Sequence, residues 1–214
     1  GVVNAQEKKQ YKVSSIGFYN LENLFDTIPG PNDTEFTPEG ANKFTSERYW
    51  HKQNNMAEVI SQIGSEMFPG GPAILGVCEI ENRSVLEDLI VNPKLKASNY
   101  AIVHYDSPDR RGVDVGLIYR PEFFKVTSSR SVFLSMPENP FFRTRDQLVV
   151  SGLLDGEMIH VIVNHWPSRS GGEKRSMPSR MAAAKLTKSI VDSLQRVDPA
   201  AKIVIMGDLN DDPD

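Results

Sequence analysis

The chain has 214 residues, 39% hydrophobic and 24% charged, enough apolar content to close a core in one large domain or two small ones. A formal charge of -4 excludes a protein that coats nucleic acid through bulk positive charge, but not an enzyme that touches a few phosphates. The single cysteine, Cys78, excludes an intrachain disulfide, and no apolar run reaches the ~20 residues that a membrane-spanning helix needs.

Residues 1–12 read as a tail. Its pattern Val3-Asn4-Ala5 before Gln6 is like the end of a cleaved secretory signal, with Gly1 as a cloning remnant. That points to an exported protein, periplasmic or extracellular, with a cytoplasmic one as the alternative. No internal repeat or low-complexity tract follows, so residues 13–214 read as one folding unit. "KVSSIGFYN" is the first predicted strand, and residues 32–41, rich in Pro, Gly and Asp, form a loop. From Ser46 to about Ser65, Met56, Val59, Ile60 and Ile63 recur at helical spacing, the mark of an amphipathic helix. "AILGVCEI" is a buried strand in which Cys78 is a small core side chain. "NRSVLEDLIVN" is a short helix ended by Pro93.

Strands dominate the middle: "YAIVHYD", "VDVGLIYR", "FKVTSSRSVFL", "QLVVSGLL" and "EMIHVIVNHW", the last two joined by the hairpin signal Asp155-Gly156. Pro178 opens a helix to about Val197 with Leu186, Ile190 and Leu194 on one face. "KIVIM" is the last strand, read as fully buried. Consecutive hairpin strands between helices imply an α+β sandwich, two sheets packed together with helices outside.

Polar clusters follow four of these strands: Asn20, Glu22 and Asn23; Glu79, Glu81 and Asn82; Asn164, His165, Ser168 and Arg169; and Asp208, Asn210, Asp211 and Asp212. Carboxylates, amides and one imidazole form a hard ligand set suited to Mg2+ or Mn2+ rather than to structural zinc. Taken singly, each has an ordinary explanation. Asn20 caps a turn, Glu79 faces solvent, His165 is a bonded core histidine, and "DLNDDPD" is an acidic turn. Between His165 and Lys185, Arg169, Lys174, Arg175, Arg180 and Lys185 stand against one acid, Glu173. Arg111, Arg169 and Arg175 are candidate phosphate clamps, since a guanidinium grips two oxygens at once.

The motifs "YNLENLFD", "GVCEIEN", "DRRGVDVGLIYRP", "VNHWPSRSGG" and "GDLND" occur in this order from residue 19 to residue 211. In them the chain resembles the endonuclease/exonuclease/phosphatase superfamily, which includes DNase I-like nucleases, sphingomyelinases and inositol-polyphosphate 5-phosphatases. "NLENLFD" and "NHWPSR" are similar to those of its bacterial, exported members. The resemblance implies a four-layer α/β/β/α sandwich and divalent-metal-dependent hydrolysis of a phosphate ester by Mg2+ or Mn2+. A phosphodiesterase or nuclease leads, with a lipid-headgroup or small-molecule phosphatase, or a non-catalytic binding module, as alternatives. By position it implies Glu79 as the metal ligand, with Glu81 close enough to share the face. It implies Asn20 as the amide that orients phosphate and metal, and His165, beside Asn164, as the donor to a phosphate oxygen. Asp208 and Asn210 match the pair that positions the attacking water. The implied partner is a phosphate-ester substrate, nucleic acid included, and no protein partner follows from it. Family members run on past this point to further strands and a late histidine. Residues 13–214 are therefore expected to lack C-terminal strands, and this 214-residue stretch alone to be inactive.

Overall fold

Two pairs of parallel neighbours organise the chain. Strand β1 (Ile16–Leu24) pairs with β2 (Ile74–Ile80), bringing Asn20 opposite Cys78, and β7 (Glu157–His165) pairs with β8 (Lys202–Asp208), bringing His165 opposite Asp208. Parallel partners end on the same side, so each pair delivers its polar C-terminal residues to one rim. These are features of a computed structural model that describes residues 12–30 and 35–212. The export-type pattern at Val3-Asn4-Ala5 and part of the 32–41 loop lie outside the described residues.

The first sheet has the order β1-β2-β4-β3, with β3 at Ala101–His104 and β4 at Asp114–Tyr119. The second has the order β5-β6-β7-β8, with β5 at Phe124–Val132 and β6 at Gln147–Leu154. Asp155 and Gly156 both have positive φ (49° and 89°), as the tight hairpin between β6 and β7 requires. The sheets pack face to face. Ile74, Cys78, Val115 and Leu117 of one meet Leu148, Val150, Val161 and Val163 of the other in a closed apolar layer. Alternation sends the intervening residues outward. Leu75 and Val77 pack on helices α1 (Ser46–Gln62) and α2 (Arg83–Ile90), and Val149 and Ile162 pack on Ile190 of α3 (Glu173–Val197). The architecture is the α/β/β/α sandwich expected from the sequence, of the DNase I-like type. Each fully buried Leu or Ile contributes roughly 1.5–3 kcal/mol to holding the layers together.

Three local expectations are corrected. Helix α3 begins at Glu173, so Pro178 lies inside it rather than opening it, and the lost N–H···O bond falls in its second turn. Val59 of α1 is exposed; the buried face is Tyr49, Gln53, Met56, Ala57 and Ile60. Strand β8 is not fully buried: it is an edge strand among the described residues, and Ile205 is 48% exposed. Its β-branched run reflects strand propensity on a half-covered edge.

Candidate active site

The two rims meet because β8 lies against β1 and β2 across the sandwich. Asn20 Nδ2 donates to Asp208 Oδ2 at 3.2 Å, joining the first sheet to the second. Asn20 Oδ1 also accepts from the Glu22 N–H at 2.7 Å, so the turn role and the site role are both filled by one amide. Asp208 Oδ1 accepts from the backbone N–H of Asn210 at 3.0 Å, and Asn210 Nδ2 donates to Trp166 O at 2.9 Å. His165 Nε2 lies 3.7 Å from Glu79 Oε1 and 3.9 Å from Asp208 Oδ2. Asn20, Glu79, His165, Asp208 and Asn210 therefore occupy one place.

The backbone is bent to reach it. Glu22, Asn23, Glu79 and Asn210 all adopt left-handed φ values between 52° and 58°, each at a cost on the order of 1–3 kcal/mol that persists only where the surroundings enforce it. At Glu79 this coincides with a register shift between Cys78 and Ile80 against β4, a β-bulge that re-aims one side chain. The bulge separates Glu79 from Glu81. Glu79 turns to His165, whereas Glu81 Oε2 accepts from the Asp26 N–H at 2.7 Å and holds the segment after β1. Among the described residues, no donor approaches the Glu79 carboxylate within hydrogen-bonding distance; Arg111 Nη2 is 3.8 Å away. A largely buried carboxylate with no close donor among the described residues, sharing the His165 ring with the Asp208 carboxylate, leaves oxygens open to a hard divalent cation.

His165 is 4% exposed and, among the described residues, its Nδ1 has no partner. An orphaned acceptor costs less than a donor left facing nothing, so the proton belongs on Nε2, which faces the two carboxylates. Burial, reinforced by the positive charges of Arg145 and Arg111, pushes the imidazole pKa down to about 3. The ring is neutral at pH 7, a hydrogen-bond donor rather than a cation. The unfolded chain takes up this proton near pH 6.5 and the folded chain only near 3. The stabilising contribution is thus complete above pH 6.5 and lost as pH falls towards 3, at up to about 1.4 kcal/mol per unit. Urea midpoints measured from pH 7.5 to pH 4.5 should fall more steeply in the native protein than in His165→Gln; equal slopes would contradict the buried neutral ring.

The other predicted residues fare differently. Arg111 reaches the site, donating from Nη2 to Asn23 Oδ1 at 2.5 Å beside Glu79. Arg169 borders a cleft of ≈ 890 Å³ with Trp166, Met177, Arg180, Asp208 and Asn210. It is held there by Asp211 and Asp212, each at 2.9 Å, and by a bond to Asn210 O. It organises the loop after β8 rather than standing open as a clamp. Arg175 is exposed on the first turn of α3 and does not line this cleft; because the helix begins earlier than Pro178, the arginine on the cleft side is Arg180, paired with Asp211 at 3.1 Å. The basic excess between His165 and Lys185 is therefore partly neutralised.

Asn164 is not placed to touch substrate. It is fully buried, donates to Met206 O, and accepts from Trp166 Nε1 at 3.1 Å and Thr187 Oγ1 at 3.2 Å. Strand alternation turns it to the α3 side while His165 turns to the rim. Sequence reasoning missed Asp109 and Arg145. Both are buried and paired at 3.1 Å behind the rim; Asp109 opens the motif "DRRGVDVGLIYRP" but takes no role from it, and Arg145 carries no signal.

The fold and this rim define a two-sheet sandwich whose strand ends carry a carboxylate, amide and imidazole site. The chain belongs to the endonuclease/exonuclease/phosphatase family, whose profile matches residues 15–214. A search of curated proteins gave no match. Among solved structures, TDP2 from C. elegans is similar at 16% identity and a TM-score of 0.61, over 93% of this chain and 48% of that one. A mannosyl-6-phosphatase from Bacteroides thetaiotaomicron is similar at 16% identity and a TM-score of 0.64, over 94% of this chain and 67% of that one. An endonuclease/exonuclease/phosphatase family protein from the same bacterium gives 17% and 0.61, over 92% and 63%. The chain thus spans about half to two thirds of the length of the structures it matches. Among the described residues no helix is long and apolar enough to cross a membrane.

Proposed function

We propose that the protein hydrolyses a phosphate ester with the help of a divalent cation, Mg2+ or Mn2+, and that a phosphodiester is its substrate class. The observation that carries this reading is the meeting of the two rims, with Asn20 bonded to Asp208 at 3.2 Å and the His165 ring set between Glu79 and Asp208. Glu79 is the residue to hold the cation, which when bound supplies Lewis-acid polarisation of a phosphoryl oxygen.

The chain's own side chains account for the remaining needs. Asp208, fixed through both carboxylate oxygens by Asn20 and the Asn210 N–H, orients a water and accepts its proton as it attacks phosphorus, while the bond from phosphorus to the leaving oxygen breaks and that oxygen departs with its electron pair, taking a proton from solvent where it leaves as an alcohol. The Nε2–H of neutral His165 and the amides of Asn20 and Asn210 donate to nonbridging oxygens, where charge accumulates. Arg111 adds positive charge at the mouth. The solved neighbours include a mannosyl-6-phosphatase and a 2',3'-cyclic phosphatase, so the fold also serves other phosphate esters, and lipid headgroups and sugar phosphates belong in the substrate panel.

The test is hydrolysis of bis(p-nitrophenyl) phosphate and p-nitrophenyl phosphate by the full-length polypeptide, with Mg2+, with EDTA, and in Asp208→Asn. The diester should turn over faster than the monoester, only with the metal, and Asp208→Asn should lower kcat by about 10²–10⁴-fold. Equal rates with Mg2+ and EDTA would reject the mechanism.

A further inference from the structure

Behind the rim lies a buried ion pair that does not itself line the substrate cleft yet bonds to the backbone of two site segments, the end of β7 and the 109–112 turn. Arg145 and Asp109 have side chains only 6% and 5% exposed and meet at 3.1 Å. The other two guanidinium nitrogens are engaged as well. Nε donates to His165 O at 3.2 Å and Nη2 to Trp166 O at 2.6 Å. That same Trp166 oxygen accepts Asn210 Nδ2 at 2.9 Å, and the Trp166 N–H donates to Asp208 O at 2.9 Å. On the other side, Asp109 Oδ1 accepts the Arg111 N–H at 3.0 Å, and the Gly112 N–H closes the turn on Asp109 O at 3.1 Å.

We propose that Arg145 and Asp109 are positioning residues: one guanidinium, gripping the end of β7 and the 109–112 turn, sets His165, Asn210 and Arg111 in register with one another. This rests on the hydrolytic reading of the rim. A desolvated ion pair gains little net stability over apolar side chains of the same volume, so its presence calls for a geometric reason. A planar guanidinium is suited to that task, because its donors leave in fixed directions and satisfy three acceptors simultaneously; a lysine ammonium cannot reproduce that fork. The three acceptors belong to two segments far apart in sequence, and the residues hung on them are those the mechanism needs held still. Misplacement of reacting groups by about 1 Å lowers rates by about 10²-fold.

The experiment uses Arg145→Lys and Asp109→Asn in the full-length polypeptide, the second keeping shape and one acceptor if the first does not fold. With bis(p-nitrophenyl) phosphate and Mg2+, well below each variant's melting midpoint, kcat should fall about 10–100-fold with KM changed less than about threefold. The loss caused by Arg111→Ala should be clearly smaller in the Asp109→Asn background than in the native one, because Arg111 is already displaced there. A pair that merely stabilises the fold would leave that loss the same in both backgrounds, and this result would overturn the proposal. A readout independent of turnover separates it from the hydrolytic reading. The chain has two tryptophans, and in a Trp50→Phe background Trp166 alone reports on the β7 end. Arg145→Lys should shift its emission to the red and raise its quenching by acrylamide. If the native protein hydrolyses no ester, the hydrolytic reading falls and Trp166 decides the positioning claim; unchanged emission and quenching would refute it.

Discussion

Replacing Glu79 by Gln should abolish most turnover while leaving the fold as stable as before, or slightly more so. Among the described residues the carboxylate receives no close hydrogen bond, and its neighbours at 3.7–3.8 Å are the neutral His165 and a half-exposed Arg111. Removing its charge therefore breaks little that holds the sandwich together. On the proposed mechanism the same change removes the charge that would hold the divalent cation. A loss of about 10³-fold in kcat corresponds to ~4 kcal/mol of transition-state stabilisation, within what a Lewis-acid cation supplies. Steady-state kinetics and a melting curve on one sample check both halves. A variant that unfolds, or that keeps native kcat, contradicts the role.

The second large effect is on folding. Gly207 precedes Asp208 and sits opposite Asn164 in the parallel β7–β8 pair. Its φ is +151°, and a Cβ built there falls 2.2 Å from Asn164 O and 2.8 Å from Asn164 C. Those are backbone atoms of the fully buried Asn164, so nothing flexible can yield. Gly207→Ala should destabilise the protein by more than ~4 kcal/mol, in the range reserved for such backbone collisions, and yield aggregated or unfolded material. Gly76→Ala makes the contrast. There the closest approach, 2.4 Å, is to Met206 Sδ, a flexible thioether that can swing aside, and the loss should be a fraction of that at Gly207. Denaturant titrations of the two variants check the ranking.

The fold was legible because its signals are local. Alternation within "QLVVSGLL" and "EMIHVIVNH", and Asp155-Gly156 between them, fix a hairpin without reference to the rest of the chain. The residues at strand ends were legible for a similar reason: a rigid strand followed at once by Asp or His states where that side chain stands. What failed depends on contacts distant in sequence. Glu79 and Glu81 are two apart and would share a face in a regular strand; only the bulge against β4 separates them. Asn164 and His165 are adjacent and polar, and only the position of α3 consigns the first to the interior. Arg175 is a candidate clamp by residue type alone; the helix begins at Glu173 and its phase carries Arg180, not Arg175, to the cleft. Arg145 and Asp109 lie in irregular segments with no periodicity to mark them, and only their pairing across 36 residues shows them to be buried.

The central claim is that the ends of β1, β2, β7 and β8 converge to hold a divalent cation at Glu79 beside the phosphate position. Crystals of the full-length polypeptide soaked in Mn2+ and measured near the manganese absorption edge test it without relying on any substrate. The account predicts an anomalous peak about 2 Å from a Glu79 carboxylate oxygen, on the side facing Asp208 and Asn20, which disappears in Glu79→Gln. A map with no peak at Glu79, or with its only peak at the separate group His104, Asp106 and Asp114, would contradict it.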